Sequence, residues 1–338
     1  MLLPICGCVN IWTMNRAGTT EPSGCPLCGG GIKAEIVARE MMLELGDEFH
    51  YLECSDCGCL VLKDPPRSIK RYYPKRYYAY AAPTLHNCSF LRRVWRKTRC
   101  FFVFECALGR VVAGRLKRVP GWYPWLLPCH VKRCNRILDI GCGNGDLLRQ
   151  MHDEGFSDLT GIDPFCNAET TSVGIRIKRG GLEDLAGSRY DLVMLHHSLE
   201  HMPKQVDVLR TVAKALRDNG MALIRIPVKN HAWDVYREYW VSLDAPRHLC
   251  IHTERSIELA AGKAGLRLAA KRYDSSSFQF WGSEQYLRGI SLTDPRSVQN
   301  GGRLFSFSEI TKFEQMAQEL NRQGRGDQAI FYFVKCGS

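Results

Sequence analysis

The chain has 338 residues, 45% of them hydrophobic, with 46 Lys and Arg against 35 Asp and Glu and a formal charge of +11. That content can bury a sizeable core and excludes disorder of the whole chain. Sixteen cysteines in a chain long enough to fold without staples, four of them in two C-x-x-C pairs, point to a reducing cytoplasm and exclude a secreted disulfide framework.

Residues 1–20 read as a loose leader, with no basic residue before the apolar run and no cleavage site after it; Met14 is a second candidate start. Residues 21–63 carry Cys25-Pro-Leu-Cys28-Gly and Cys54-Ser-Asp-Cys57-Gly. Four thiolates at this spacing can close a tetrahedral shell around structural zinc, with strands filling the interval. Cys59 is taken as a bystander, and a closed shell leaves no open catalytic position. Residues 64–133 combine a Pro- and Tyr-rich connector with two expected helices over 88–127, broken at Gly114 or later. The stretch 91–118 is dense in Lys and Arg with a single Glu, interrupted by apolar runs. It suits a peripheral contact of 91–127 with an anionic membrane; nucleic acid is less favoured, and a solvated helix face is the plain alternative. Glu105 and Arg110 break the longest apolar run, which excludes a transmembrane helix there.

From 134 to 338 the pattern is βαβ. Strands are expected at 136–141, 158–162, 175–179, 190–196 and 221–227, and helices at 144–154 and 203–218, the second stopped by Asn219-Gly220. Residues 229–250 form an aromatic insertion. Thr253 caps a helix ended by Gly265, with His252 on the surface beside it. Runs at 266–274 and 328–336 suggest a terminal antiparallel pair.

The stretch ILDIGCGNGDLL, 137–148, turns from strand to helix through Gly141, Gly143 and Gly145. A dinucleotide fingerprint would need a third glycine where Asp146 stands. A carboxylate at that helix start competes with a pyrophosphate for the same amides. A phosphate-free nucleoside carrying positive charge, such as S-adenosylmethionine, fits better. Asp139 would hold its ammonium, and Gly141, Cys142, Gly143 and Gly145 would allow close backbone approach. Asp163, 24 positions after Asp139 and followed by Pro164, would accept the ribose hydroxyls. Glu183 and Asp184 would border the adenine, and His196 the same crevice.

ILDIGCGNGDLL, LTGIDP, YDLVMLHHSLEHM and MALIRIPV, in that order and spacing, resemble class I S-adenosylmethionine-dependent methyltransferases. The resemblance implies a Rossmann-like α/β fold with a seven-stranded sheet of order 3-2-1-4-5-7-6. The zinc ribbon, YYPKRYYAY and DAPRHLCIHT are similar to a bacterial subgroup associated with glycan and surface-polysaccharide synthesis. That similarity implies a small-molecule or lipid-linked glycan acceptor, methylated on oxygen. A C-methyltransferase of nucleotide-linked keto-sugars and an RNA-modifying enzyme are the alternatives.

The expected chemistry lies in HHSLEH, after the fourth strand of the methyltransferase pattern. His197 or His201 could act as general base. Alternatively His197, Glu200, His201 and His248 could bind a divalent metal, a spacing similar to the E-x-x-E-H metal motif of small-RNA 2′-O-methyltransferases. His197 in place of the first Glu departs from that motif and disfavours a magnesium-like site. A third reading gives most of these residues structural roles. On the acceptor side, Trp233, Tyr236, Tyr239 and Trp240 could stack on a sugar, and Arg247 and His248 could meet a phosphate.

Overall fold

The computed structural model describes residues 24–73, 89–106, 108–109, 119–185 and 187–337. The expected leader, all of YYPKRYYAY after Tyr73 and the break near Gly114 lie outside them.

The larger sheet has eight strands: β4 (Ile137–Ile140), β5 (Leu159–Asp163), β6 (Thr170–Ser172), β7 (Ile175–Arg179), β8 (Tyr190–His196), β9 (Leu216–Pro227), β11 (Leu266–Tyr273) and β12 (Gln328–Lys335). Their spatial order is β6-β7-β5-β4-β8-β9-β12-β11. Without the short antiparallel edge strand β6, this is the 3-2-1-4-5-7-6 order, with β12 antiparallel to both β9 and β11. Alternation along the strands divides the apolar residues between two layers. Val193, Leu195, Ile224 and Phe331 pack on α4 (Gln205–Ala215) and α6 (Glu254–Lys263). Leu192, Met194, Leu223 and Ile330 face α1 (Phe90–Glu105), α2 (Tyr123–Leu126) and α3 (Asp146–Glu154).

Helix α4 ends at Ala215, a turn before Asn219-Gly220. Leu216 already takes an extended conformation and pairs with Tyr190. Residues 217–220 are accommodated as an irregularity before pairing resumes at Leu192–Met221. Pairing to β8 overrides the helical periodicity that continues to Leu216.

The second sheet joins β1 (Ile32–Arg39), β2 (Glu48–Cys54) and β3 (Leu60–Leu62) to β10 (Cys250–Ile251), which comes from just past the aromatic insertion. One side of this sheet and the insertion share a core of Tyr51, Leu60, Leu62, Trp233, Trp240 and Ile251. α5 (His231–Tyr236), α7 (Phe278–Leu287) and α8 (Phe307–Arg322) complete that layer. The cysteine knuckles pack on the other side, against Ile257, Ala260 and Ala261 of α6. Among the described residues no helix is long and apolar enough to cross a membrane.

Candidate methyl-donor and acceptor site

The turn after β4 lies at the carboxyl edge of the parallel strands, between β5 and β8. Gly141, Gly143 and Gly145 have φ of 77°, 56° and 80°, the left-handed region that side chains avoid. At Gly141 an added Cβ would also stand 2.5 Å from Ser198 Cβ. Ser198 Oγ donates to the Ile140 carbonyl at 2.8 Å, binding the end of β4 to the turn after β8. The sequence reading passed over this serine although it sits within HHSLEH.

Asp139 is 3% exposed, and its Oδ1 has no hydrogen-bond partner. Burial, reinforced by the charge of Asp163, pushes its carboxyl up to about 8. Asp163, at the end of β5, accepts from Gly143 N at 3.0 Å and Phe165 N at 2.7 Å. Burial raises it too, against the lowering effect of those two amides. Two buried carboxylates thus flank the glycine turn, one lacking a partner, and Cys142 and Pro164 are partly exposed beside them. A ligand bringing an ammonium and vicinal hydroxyls matches this donor set. Glu183 and Asp184 are exposed, and Asp184 Oδ2 accepts from Gly181 N at 2.9 Å.

After β8 the histidines separate into distinct environments. His196 stands 5.0 Å from the Trp125 ring, and both its nitrogens are buried without partners. Burial and then the Arg225 charge push it down to about 3. His197, at φ 48°, is held between Arg225 Nη1, 2.6 Å from its Nε2, and Glu200 Oε1, 3.3 Å from its Nδ1. The guanidinium can only donate, so it occupies the lone pair that a general base would need. His197 is therefore placed as a neutral strut rather than a base or metal ligand. Arg225 continues to Asp274 at 2.7 Å and lies over Trp125. Its signal was present in the sequence as the one charge in the apolar run ALIRIPV.

His201 differs. Its Nδ1 lies 2.9 Å from the Arg247 carbonyl and 3.2 Å from the Tyr73 hydroxyl. The carbonyl can only accept, so Nδ1 carries the proton and Nε2 keeps its lone pair. His248 repeats the arrangement, with Nδ1 2.9 Å from the Ser242 carbonyl. Glu200 is 1% exposed, and neither oxygen has a hydrogen bond of good geometry. Burial would raise it, but the contact with His197 and the neighbouring His201 and His248 hold it down to about 2, so it stays ionised. Ligand atoms of Glu200, His201 and His248 lie within 4.8 Å of one another, close enough to share a cation.

The insertion corrects the acceptor-side expectation. Trp233 and Trp240 are core residues, and Trp240 Nε1 donates to Asp327 at 2.9 Å. Tyr236 is buried with its hydroxyl on Glu284; only Tyr239 is exposed. Arg247 is 1% exposed and bound to Asp244 and Glu40, so it is not free for a phosphate. The insertion must cover the second sheet, and that consumes its large side chains. His252 is likewise buried, between Ser256 Oγ at 2.9 Å and Gln205 Oε1 at 2.6 Å. It ties α4 to α6, contrary to the expected surface position.

In the ribbon, Cys25 Sγ is 3.7 Å from Cys57 Sγ, and Cys28 Sγ is 3.4 Å from Cys54 Sγ. Zinc–thiolate bonds of about 2.3 Å give a tetrahedral edge of about 3.8 Å. Gly30 N points at Cys28 Sγ, and the Asp56 and Cys57 amides point at Cys54 Sγ. These four thiols fit zinc. Cys59 is nearer than a bystander should be, its Sγ 3.5 Å from both Cys25 and Cys57.

Residues 106–271 match a family described as a methyltransferase domain. A ubiquinone biosynthesis O-methyltransferase of Azorhizobium caulinodans is 28% identical over 151 residues, covering 40% of this chain and 59% of that protein. The protein of the same name from Aeromonas salmonicida is 35% identical over 100 residues, 26% of this chain and 42% of its own length. The chain thus spans about two-fifths to three-fifths of these curated relatives. A solved S-adenosylmethionine-dependent methyltransferase from Mesorhizobium loti aligns with a TM-score of 0.40 at 18% identity, over 63% of this chain and 97% of that one. The strand order and the glycine turn between β4 and its helix are those of the class I methyltransferase fold, and the family match spans residues 106–271 of it.

Proposed function

We propose that the protein transfers the methyl group of S-adenosylmethionine to a hydroxyl oxygen, and that the acceptor is a glycan or surface-polysaccharide precursor. The observation that carries the reading is the pair Asp139 and Asp163 beside the glycine turn, with Asp139 Oδ1 buried and unpartnered. Asp139 would hold the ammonium and Asp163 the ribose hydroxyls. The sulfonium activates the methyl carbon, so the protein must chiefly align the acceptor and take up its proton. His201 Nε2 would accept that proton as the new C–O bond forms and the C–S bond breaks, and ionised Glu200 would support the imidazolium. A structural zinc in the ribbon completes the reading.

Two observations favour variants of this scheme. The unbonded Glu200 oxygens near His201 and His248 would also suit a divalent cation that lowers the acceptor's pKa. The relatives named for ubiquinone biosynthesis suggest a hydroxyl of a ubiquinone precursor as acceptor.

Calorimetry with S-adenosylhomocysteine, wild type beside Asp163→Asn, tests the core of the proposal. Hydrogen bonds to a charged group are each worth about 1.5–3 kcal/mol, so affinity should fall about tenfold or more with the fold retained. Unchanged affinity rejects the ribose role. Labelled methyl transfer to glycan precursors and to phenols, with and without chelator, then separates the variants.

A further inference from the structure

We propose that the first turns of α1 are a membrane-surface element that binds anionic lipid bilayers. The second half of this helix is anchored in the core through Cys100, Val103 and Phe104. Its first half projects from that anchor, and Phe90 and Leu91 are 76% and 78% exposed. Val94, Trp95 and Phe101 are exposed as well. At 3.6 residues per turn these five side chains fall within an arc of about 140°, on the side away from the buried positions, along about 16 Å of helix. Arg99 covers one face of Trp95 and Arg133 one of Phe101, and the rest of this exposed apolar stripe is a docking surface rather than scattered surface apolarity.

The charge beside the stripe decides the occupant. Arg92, Arg93 and Lys97 are exposed and make no ion pair among the described residues. Arg96 and Arg99 are matched by Asp153 and Glu154. At about 100° per residue Lys97 borders the stripe, Arg92 lies about 60° beyond its other edge and Arg93 on the side of Cys100 and Phe104; the helix carries no carboxylate before Glu105. A second copy would bring like charges together, whereas an anionic bilayer offers phosphates to the cations and acyl chains to the stripe. Trp95 under the Arg99 guanidinium suits the headgroup boundary.

The helix is also mechanically joined to the acceptor side. Phe104 stacks on Trp122, Trp122 contacts Tyr123, and two residues on Trp125 meets His196 at the end of β8. A bilayer-bound α1 would therefore hold the acceptor mouth near the lipid surface. That consequence rests on the proposed function; lipid binding itself does not.

The experiment is co-sedimentation of the full chain with vesicles of phosphatidylcholine plus phosphatidylglycerol, and of phosphatidylcholine alone. Binding to the anionic vesicles, only partly reversed by high salt, is the expected result. The double variant L91E/W95E should weaken it about tenfold or more while S-adenosylhomocysteine affinity stays unchanged. R92E/R93E should weaken it most at low salt. Absence of vesicle binding overturns the proposal. So does vesicle binding that survives L91E/W95E, a dimer in light scattering that L91E/W95E dissociates, or salt-sensitive RNA binding without lipid affinity.

Discussion

At the proposed site, Asp139 would couple cofactor binding to protons. In the protein alone its carboxyl is raised to about 8 by burial and by Asp163. An ammonium beside it would favour the carboxylate and pull that value down. Below pH 8, binding must then release a proton, and affinity should rise as pH goes from 6 to 8. Calorimetry of S-adenosylhomocysteine in buffers of different ionisation enthalpy would show close to one proton released at pH 7, and Asp139→Asn should abolish it. No buffer dependence would remove Asp139 from the ammonium site. The identity of this aspartate was legible because it ends an apolar strand at a glycine turn. Which of the histidines in HHSLEH keeps a lone pair was not. That depends on Arg225 reaching His197 and on the Arg247 carbonyl reaching His201, contacts between residues 28 and 46 positions apart in sequence.

At the scale of elements, the cysteine-bearing sheet is built into the methyltransferase fold rather than appended to it. β3 pairs with β10, Tyr51 donates to the His248 carbonyl at 2.8 Å, and Glu40 meets Arg247 at 2.9 Å. The Thr253 hydroxyl, which caps α6, donates to the Cys57 carbonyl at 2.6 Å. The four cysteines were readable from spacing alone. Their union with the segment 244–253 was not, because β10 is two residues long and leaves no periodic signal. With zinc on the four thiols as proposed, its removal should therefore disturb His248 and His201 before it disturbs the glycine turn. Cys54→Ser is expected to lower methyl transfer about tenfold or more, since small misplacements of reacting groups are costly. Homocysteine-product affinity should change by less than about twofold, because β4, β5 and their turn lie in the other sheet. Equal losses in both readouts would show that the ribbon supports the whole fold instead.

Across the whole molecule, the parallel sheet was legible because buried strands with intervening amphipathic helices leave strong periodic signals. The fate of the aromatic insertion was not, since a run such as AWDVYREYW suits a core and a binding face equally. The same holds for His252, a polar residue whose burial depends on Gln205 from another helix. These buried histidines shape how the protein responds to acid. Burial pushes His196 to about 3 and both His248 and His252 to about 4. Unfolded, each would titrate near 6.5. A depressed histidine contributes stability that is present above 6.5 and is lost as pH falls towards its folded value. Asp139 acts oppositely, its contribution being lost as pH rises from 3.8 to about 8. Between pH 4 and 6.5 these four groups should together take up about two protons on unfolding, three by the histidines less one held by Asp139 in the folded state, and His231 and Glu200, both lowered in the fold, add to that uptake. Urea unfolding across that range should show stability falling with acid at the corresponding slope. His252→Gln should reduce the uptake by about one proton while retaining a partner for Gln205. A slope indifferent to that substitution would mean that His252 is already protonated in the fold, bridging Ser256 and Gln205 as a cation.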